Sequence, residues 1–198
     1  RIVATYRDKR FYDGDRNYGY GGFKYDGRWA KIASKIFKEY NLNENSKILQ
    51  LNCEKGFLLN DLKDLESNIK IQGLETSEYA IDNSMESVNK SIKKCNNYLN
   101  LEFNDQYFDF VIALGVVYTH NLTDTIKCLK EIQRVSKGKS FVTLASYKTL
   151  DDYWLFKQWT VLGTTILLEN EWVKILNHVK FTGDYFFTNA KSLYLKQK

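Results

Sequence analysis

The chain has 198 residues, of which 43% are hydrophobic and 27% are charged, and its formal net charge is +5. This composition is typical of one folded globular domain and excludes disordered and fibrous chains. The excess of positive charge is small and dispersed, so we do not expect nucleic acid as a partner. The chain contains no proline, which excludes proline-rich recognition segments and stiff proline linkers.

The three cysteines, Cys53, Cys95 and Cys128, form neither a CxxC pair nor an even set, which indicates reduced thiols and a cytoplasmic protein. No run of about 18 apolar residues is present, so we expect no membrane span and no membrane partner. The sequence shows no metal-ligand cluster, no nucleophile triad and no phosphate loop that ends in Gly-Lys-Ser/Thr. These features argue against a hydrolase or a nucleoside triphosphatase.

The N-terminal segment, residues 1–27, is rich in Gly, Tyr, Asp and Arg and has no clear periodicity. Its many aromatic residues predict an ordered arm rather than a disordered tail. In residues 29–40, apolar residues recur at spacings of three and four, which predicts an amphipathic helix. A short apolar strand over residues 47–51 and a helix over residues 56–65 follow.

The middle of the chain alternates strands and helices. We expect a strand over residues 70–74, a helix over 77–90 and a strand over 108–114, whose apolar run is typical of a strand buried on both faces of a parallel sheet. A helix with Ile126, Leu129, Ile132 and Val135 on one face precedes a strand over residues 141–145. This alternation predicts an α/β fold, a twisted and mostly parallel sheet with helices on both faces, in a single domain over residues 1–198.

The C-terminal part breaks this alternation. Residues 148–168 contain several aromatic residues and are predicted to form an inserted lid. An amphipathic helix over residues 169–179 follows. Residues 185–188 and 192–195 flank the pair Asn189 and Ala190, which predicts an antiparallel C-terminal hairpin.

Three predicted strands end in residues suited to a nucleoside. The first strand leads into a turn over residues 52–56, the second ends at Glu75, and the strand over residues 108–114 ends before Gly115. In open α/β sheets, ligands lie beyond the carboxyl ends of the strands, where a turn and a helix N-terminus present backbone amides. A carboxylate at Glu75 can accept hydrogen bonds from both ribose hydroxyls; alternatively, it caps the following helix.

The order of these segments resembles the class I S-adenosylmethionine-dependent methyltransferase family over residues 18–195. The resemblance implies a Rossmann-like methyltransferase fold and S-adenosylmethionine as the cofactor. It also implies a set of cofactor-binding positions: Asn52, Cys53, Gly56, Glu75, Thr76, Asn97, Leu114 and Gly115. Arg28 either pairs with Asp26 at the surface or binds the cofactor carboxylate through its planar fork of donors.

In this family the loop after the fourth strand holds substrate-facing residues, which are here Tyr118, His120 and Asn121. His120 is a candidate general base, because imidazole titrates near neutral pH, or else a cap of the next helix. Tyr118 and Tyr20, acting through water, are further candidates for proton removal. The lid adds residues that either line an acceptor pocket or belong to the core and its rim: Trp154, Gln158 and Trp159.

Further segments carry a finer similarity to a small bacterial subgroup of the family. They are Tyr18-Gly19-Tyr20-Gly21-Gly22, Asp26-Gly27-Arg28-Trp29 and Phe181-Thr182-Gly183-Asp184-Tyr185. The aromatic lid and the absence of an appended recognition domain favour a small-molecule acceptor. No oligomeric state is predicted.

The turn after the first strand departs from the family pattern. Where the family has an acid followed by alternating glycines, this chain has Gln50, Asn52 and Glu54, and it keeps Gly56. Asparagine tolerates positive φ angles, whereas glutamate does not. Two hypotheses stay open: methyl transfer to an oxygen or nitrogen of a small molecule, such as a sugar, or a catalytically degenerate methyltransferase-like protein that acts as a binding or regulatory subunit. Methylation of RNA or protein is a third, and it would need a basic face near the crevice.

Overall fold

Seven strands form one sheet in a computed structural model of the chain, which describes residues 1–19 and 23–196. The strands are β1 (Lys47–Leu51), β2 (Lys70–Glu75), β3 (Ile92–Lys94), β4 (Phe110–Ala113), β5 (Ser140–Tyr147), β6 (Leu167–Leu168) and β7 (Asp184–Thr188). The helices are α1 (Ile2–Thr5), α2 (Lys9–Asp13), α3 (Trp29–Glu39), α4 (Phe57–Leu65), α5 (Glu78–Asp82), α6 (Leu122–Val135), α7 (Leu150–Trp159) and α8 (Glu169–His178). Short 3-10 turns cover Asn89–Ser91 and Val117–Thr119. No helix within the described ranges has the length and apolarity that a bilayer crossing requires.

The strand order places a switch point at the centre of the sheet. The order is β3-β2-β1-β4-β5, β6 and β7 both pair with β5, and every pairing between the described strands is parallel. The chain moves outward from β1 through β2 and β3, and then returns to β4 on the other side of β1. Such a reversal opens a crevice between the carboxyl ends of β1 and β4. Open α/β sheets bind their ligands in a crevice of this kind.

The sheet is buried on both faces because its strands are apolar at nearly every position. Leu49 of β1 points into a large cluster on one face that includes Trp172 of α8, whose indole Nε1 donates to the Ala145 carbonyl oxygen at 2.7 Å. Ile48 points into the cluster on the other face, with Leu58 of α4. Burial of each such side chain contributes about 1.5–3 kcal/mol. The predicted α/β fold, with a mostly parallel sheet and helices on both faces, is confirmed.

The predicted helix over residues 77–90 is wrong beyond its first turns, since α5 ends at Asp82. The backbone amide of Met85 donates to the Lys55 carbonyl oxygen at 2.9 Å, which pulls the chain away from a helical path. Met85 and Val88 then pack in a small cluster with Cys53. Contacts with the turn after β1 therefore override the local helical pattern.

The predicted antiparallel C-terminal hairpin does not form either, because β7 pairs parallel with β5 and residues 191–194 form a turn. The Asn189 side chain accepts from the Ser192 backbone amide at 2.9 Å, and the Ser192 hydroxyl accepts from the Asn189 amide at 2.9 Å. Such bonds over three residues stabilise a helical turn rather than a two-residue hairpin loop.

The N-terminal arm is ordered over the residues that the structure describes, as α1 and α2. Ala4, Phe11 and Tyr12 are buried against Ala80 of α5. A buried lysine of the turn after β1, Lys55, donates to both carboxylate oxygens of Asp13 at 2.6 and 2.8 Å. These contacts fasten the arm over the carboxyl ends of β1 and β2.

Candidate functional site

Two adjoining cavities lie beyond the carboxyl ends of β1, β2 and β4. The first has a volume of about 330 Å³ and the second about 420 Å³. Arg7, Asn52 and Leu162 line both of them, so these side chains stand where the two cavities meet. Volumes of this size suit a small organic ligand.

The turn after β1 has the backbone shape of a glycine-rich loop although most of its residues are not glycine. Asn52 and Glu54 both have φ of 54°, and Gly56 has φ of 76°. A left-handed conformation costs a residue such as glutamate about 1 kcal/mol or more. A Cβ at Gly56 would lie 2.8 Å from Val88 Cγ2, so this position excludes any larger residue.

Glu54 brings a carboxyl group to the first cavity. Burial raises the pKa of Glu54 to about 7, and the positive charge of Arg7 partly opposes this rise. Ionised and protonated forms are therefore both populated near neutral pH.

Glu75, at the end of β2, is completely buried, and its carboxylate is surrounded by donors. It accepts from the backbone amides of Glu54 at 2.8 Å, Thr76 at 2.8 Å and Ser77 at 2.9 Å. The Nη2 atom of Arg7 donates to Glu75 Oε1 at 3.2 Å. Glu75 is thus held in one orientation beneath an arginine from the N-terminal arm.

Arg7 packs its guanidinium among aromatic rings. Its terminal carbon lies 5.3 Å from the ring centroid of Phe11 and 5.6 Å from that of Tyr12. Nη2 also donates to the Tyr12 hydroxyl at 2.5 Å, and Nε is buried without a hydrogen-bond partner. Its backbone is left-handed, with φ of 47°.

The second cavity combines residues from the ends of β2, β3 and β4. Thr76, Asn97, Tyr98 and His120 line it, and the rings of Tyr98 and His120 lie 6.4 Å apart. Burial lowers the pKa of His120 below its ordinary value of 6.5, although Asp124 opposes this shift. The imidazole is therefore neutral at pH 7, and its Nε2 atom is buried without a hydrogen-bond partner.

The first cavity has a polar floor and apolar walls. Gln50 Oε1 and Asn52 Oδ1 are buried without a hydrogen-bond partner. Aromatic and aliphatic side chains from the arm, α3, α7 and the segment after α7 line the walls: Phe11, Phe23, Trp29, Trp159 and Leu162. Burial raises the pKa of the Cys53 thiol, so this side chain is a neutral thiol.

Unpartnered buried atoms of Gln50, Asn52 and His120 converge on the two cavities. Leaving a buried polar atom without a partner costs about 1–3 kcal/mol, which a polar ligand would recover. These atoms, together with the carboxylate of Glu75, fit S-adenosylmethionine, which offers amino, carboxyl, hydroxyl and adenine groups.

The structure brings many of the predicted residues to the crevice. Those that line a cavity are Asn52, Cys53, Thr76, Asn97, Leu114, Gly115, Tyr118, His120 and Trp159. Tyr118 lines the first cavity and His120 the second, so the two candidate proton acceptors face different cavities. Glu75 lies behind Arg7, and Gly56 begins α4 beside the first cavity.

Other predicted residues lie away from these two cavities. Arg28, with 73% of its side chain exposed, pairs with Asp26 at 2.5 Å, as in the first of its two interpretations. Asn121 caps α6 by accepting from the Asp124 amide at 3.0 Å. Trp154 is 58% exposed, and Gln158 lines a separate surface cavity. Tyr20 falls outside the described residues.

Sequence reasoning missed several residues of the crevice, chiefly Arg7, Phe23, Trp29, Tyr98 and Leu162. Arg7 lies in an arm without periodicity, so no local pattern indicated where its side chain would go. The aromatic content of the arm was the one available signal.

Comparisons with known proteins point to one family. A family model described as "Methyltransferase domain" matches residues 42–183. The YcgJ protein from Bacillus subtilis is 12% identical, with a TM-score of 0.60 over 75% of this chain and 67% of that chain. The PH0226 protein from Pyrococcus horikoshii is 22% identical, with a TM-score of 0.51 over 68% of this chain and 61% of that chain.

The cyclase SpnF is 17% identical, with a TM-score of 0.58 over 79% of this chain and 61% of that chain. At such identities the similarity to solved structures concerns the fold alone. A search among curated proteins gave no match.

Proposed function

The chain belongs to the methyltransferase domain family, whose members of this fold use S-adenosylmethionine, and from this premise we propose that it methylates an oxygen or nitrogen atom of a small molecule, such as a sugar. The observation that carries the proposal is the crevice itself. Its two cavities adjoin over the ends of β1, β2 and β4, with a buried carboxylate, Glu75, at the end of β2.

The proposal gives each side of the crevice a part of the cofactor. Glu75 accepts from the ribose hydroxyls, and Thr76 and Asn97 contact the adenine in the second cavity. The turn after β1 and the segment of Leu114 and Gly115 hold the methionine part in the first cavity. The unpartnered atoms of Gln50 and Asn52 support this assignment, since they would gain hydrogen-bond partners there.

When bound, S-adenosylmethionine supplies a methyl group that is already activated on a sulfonium sulfur. The task of the protein is to align the acceptor atom and to exclude water. The walls of Phe11, Phe23, Trp29 and Trp159 would exclude water from the first cavity.

Proton removal from the acceptor is assigned to His120 or Tyr118, with Tyr20 as a third candidate. His120 is neutral at pH 7 and therefore able to accept a proton. Tyr118 lines the first cavity, where the proposal places the methionine part and the acceptor. The proposal favours Tyr118 for contact with the acceptor, and His120, which lines the second cavity, is the alternative proton acceptor.

The size of the cavities supports a small acceptor rather than a macromolecule. Residues of the arm and of the segment after α7 line both cavities, whose volumes of about 330 and 420 Å³ are typical of small-molecule sites. The three cysteines are free thiols, which supports the proposed cytoplasmic setting. The proposed bacterial source follows from the finer similarity to a bacterial subgroup of the family.

Calorimetry with S-adenosylmethionine and S-adenosylhomocysteine tests the proposal on the full chain. We expect binding of both, and a loss of at least tenfold in affinity in Glu75→Gln, because a neutral amide accepts ribose hydroxyls less strongly. Glu78→Gln is the matched control, since Glu78 is exposed and pairs with Lys94, and its affinity should equal that of the unmodified chain.

Absence of binding of either compound at millimolar concentration would overturn the proposal and leave the degenerate, regulatory hypothesis. Circular dichroism of Glu75→Gln must match the unmodified chain, so that lost binding is not lost folding.

A further inference from the structure

We infer that Arg7 is an internal competitor of the cofactor, whose guanidinium holds the Glu75 carboxylate until a ribose displaces it. The inference rests on the proposed function, since it assumes that Glu75 binds a ribose. It adds that the N-terminal arm sets the affinity for the nucleoside.

The first argument is the occupancy of the carboxylate. Glu75 Oε1 accepts from the amides of Thr76 and Ser77 and from Arg7, and Oε2 accepts from the amide of Glu54. Oε1 accepts in addition from the Thr76 hydroxyl at 3.3 Å, so donors crowd this oxygen, while Oε2 accepts from the one backbone amide named above. The backbone donors are fixed by the turns that carry them, whereas the Arg7 guanidinium and the Thr76 hydroxyl can leave Oε1 by side-chain movement.

The second argument is position. Arg7 lines both cavities, and Glu75 is completely buried beneath it. A nucleoside that reached from Thr76 to the turn after β1 would have to cross the place that the guanidinium occupies. Its ribose and the Arg7 side chain therefore exclude each other.

The third argument is that Arg7 is only partly satisfied where it lies. Its Nε atom is buried without a hydrogen-bond partner, and its backbone φ of 47° is strained for a residue with a Cβ. The unpartnered Nε favours movement of the side chain away from Glu75, whereas the backbone strain is unchanged by such a movement. The aromatic contacts with Phe11 and Tyr12 and the ion pair with Glu75 hold it there.

When Arg7 competes with the ribose, the apparent affinity is the intrinsic affinity multiplied by the fraction of molecules in which Arg7 has left Glu75. Removing the competitor should therefore tighten binding rather than weaken it. Substitution of a residue that contacts the cofactor directly would weaken binding. Whether Arg7→Ala tightens or weakens binding therefore decides between the two roles.

The experiment is calorimetry of S-adenosylhomocysteine with the full chain, Arg7→Ala and Arg10→Ala. We expect Arg7→Ala to bind at least tenfold more tightly than the unmodified chain. Arg10 is the matched control, because it is an exposed arginine of the same arm that pairs with Asp8, and Arg10→Ala should change nothing.

Equal or weaker binding by Arg7→Ala, with the unmodified chain still binding, would overturn the inference alone. Binding by both proteins, with Arg7→Ala at least tenfold tighter, would support it. Absence of binding by all three proteins would overturn the proposed function and the inference with it.

Hydrogen exchange of the arm is a second measurement, and it needs only the unmodified chain. The amides of Phe11 and Tyr12 donate to the Asp8 carbonyl oxygen at 3.0 and 3.2 Å, so they report on α2. Saturating S-adenosylhomocysteine should raise their exchange rates in the unmodified chain, since the ligand displaces the neighbouring Arg7. Slower exchange would show an arm that closes onto the ligand and would contradict the inference.

Discussion

At the scale of single residues, the turn after β1 keeps the backbone conformation of a glycine-rich loop although most of its residues are not glycine. Asn52 and Glu54 adopt the left-handed conformation that glycine would adopt without strain. Asparagine reaches this conformation at modest cost, and Glu54 is held in it by the bond from its amide to Glu75. The loss of glycines therefore changes the side chains that face the ligand more than the path of the chain.

Glu54 leads to a prediction about pH. Its pKa is raised by burial from an ordinary value of 4.5 to about 7, so the folded chain disfavours the ionised form. The folded protein binds more protons than the unfolded one between these values, and stability falls as the pH rises through about 7. We expect Glu54→Gln to exceed the unmodified chain by about 1–2 kcal/mol in free energy of unfolding at pH 8, with a smaller difference at pH 5.

Urea denaturation at the two pH values measures this difference. Glu86→Gln, at an exposed position, serves as the control and should follow the unmodified chain at both. A Glu54→Gln variant whose advantage is the same at pH 5 and pH 8 would show that the charge of Glu54 has no part in it.

At the scale of elements, the first residues of helices were easier to predict than the helix lengths. Asn121 begins α6 and Ser77 begins α5, in each case with a side chain that accepts from a backbone amide of the first turn. We considered Glu75 and His120 as the caps of these helices, but the side chains that cap them are those of Ser77 and Asn121. The early end of α5 depends on the bond from Met85 to Lys55, which joins residues distant in sequence.

Asn121 allows its two interpretations to be separated. If it acts as the cap of α6, Asn121→Ala should lower the free energy of unfolding by about 1 kcal/mol and leave the affinity for S-adenosylhomocysteine unchanged. Thr123→Ala, two residues on and exposed, should alter neither quantity. Chemical denaturation and calorimetry measure the two effects, and unaltered stability in Asn121→Ala would contradict the role as cap.

At the scale of the whole molecule, the parallel sheet lies between the hydrophobic clusters on its two faces, and these clusters fix the position of the crevice. α8 contributes Trp172, which is completely buried and donates to Ala145 of β5. α7 carries another tryptophan, Trp154, which is 58% exposed. Trp172 and Trp154 therefore differ in burial far more than the sequences around them differ.

This contrast predicts different effects of the same substitution. Trp172→Ala should lower the free energy of unfolding by about 3–5 kcal/mol, since it opens a cavity and leaves the Ala145 carbonyl oxygen without its donor. Trp154→Ala should change it by less than about 0.5 kcal/mol. Denaturant titration of both variants checks the prediction, and a large loss in Trp154→Ala would indicate a further contact of α7.

The sequence by itself determined the class of the fold and the positions of the ligand-binding strand ends. Apolar periodicity reports which residues are buried, so β1, β2, β4 and α4 were predicted close to their observed bounds. Because parallel strands end at a common edge, Glu75 and the turn over residues 52–56 were expected to lie together. The structure places them in contact through the bond between Glu54 and Glu75.

Only the tertiary structure decided what covers that edge. Arg7 meets Glu75 across 68 residues of sequence, and nothing local to either residue encodes their meeting. The same holds for β7, whose parallel pairing with β5 joins segments distant in sequence, whereas the turn made by Asn189 and Ser192 is local. Periodicity shows which residues are buried, and it does not show which distant residues bury them.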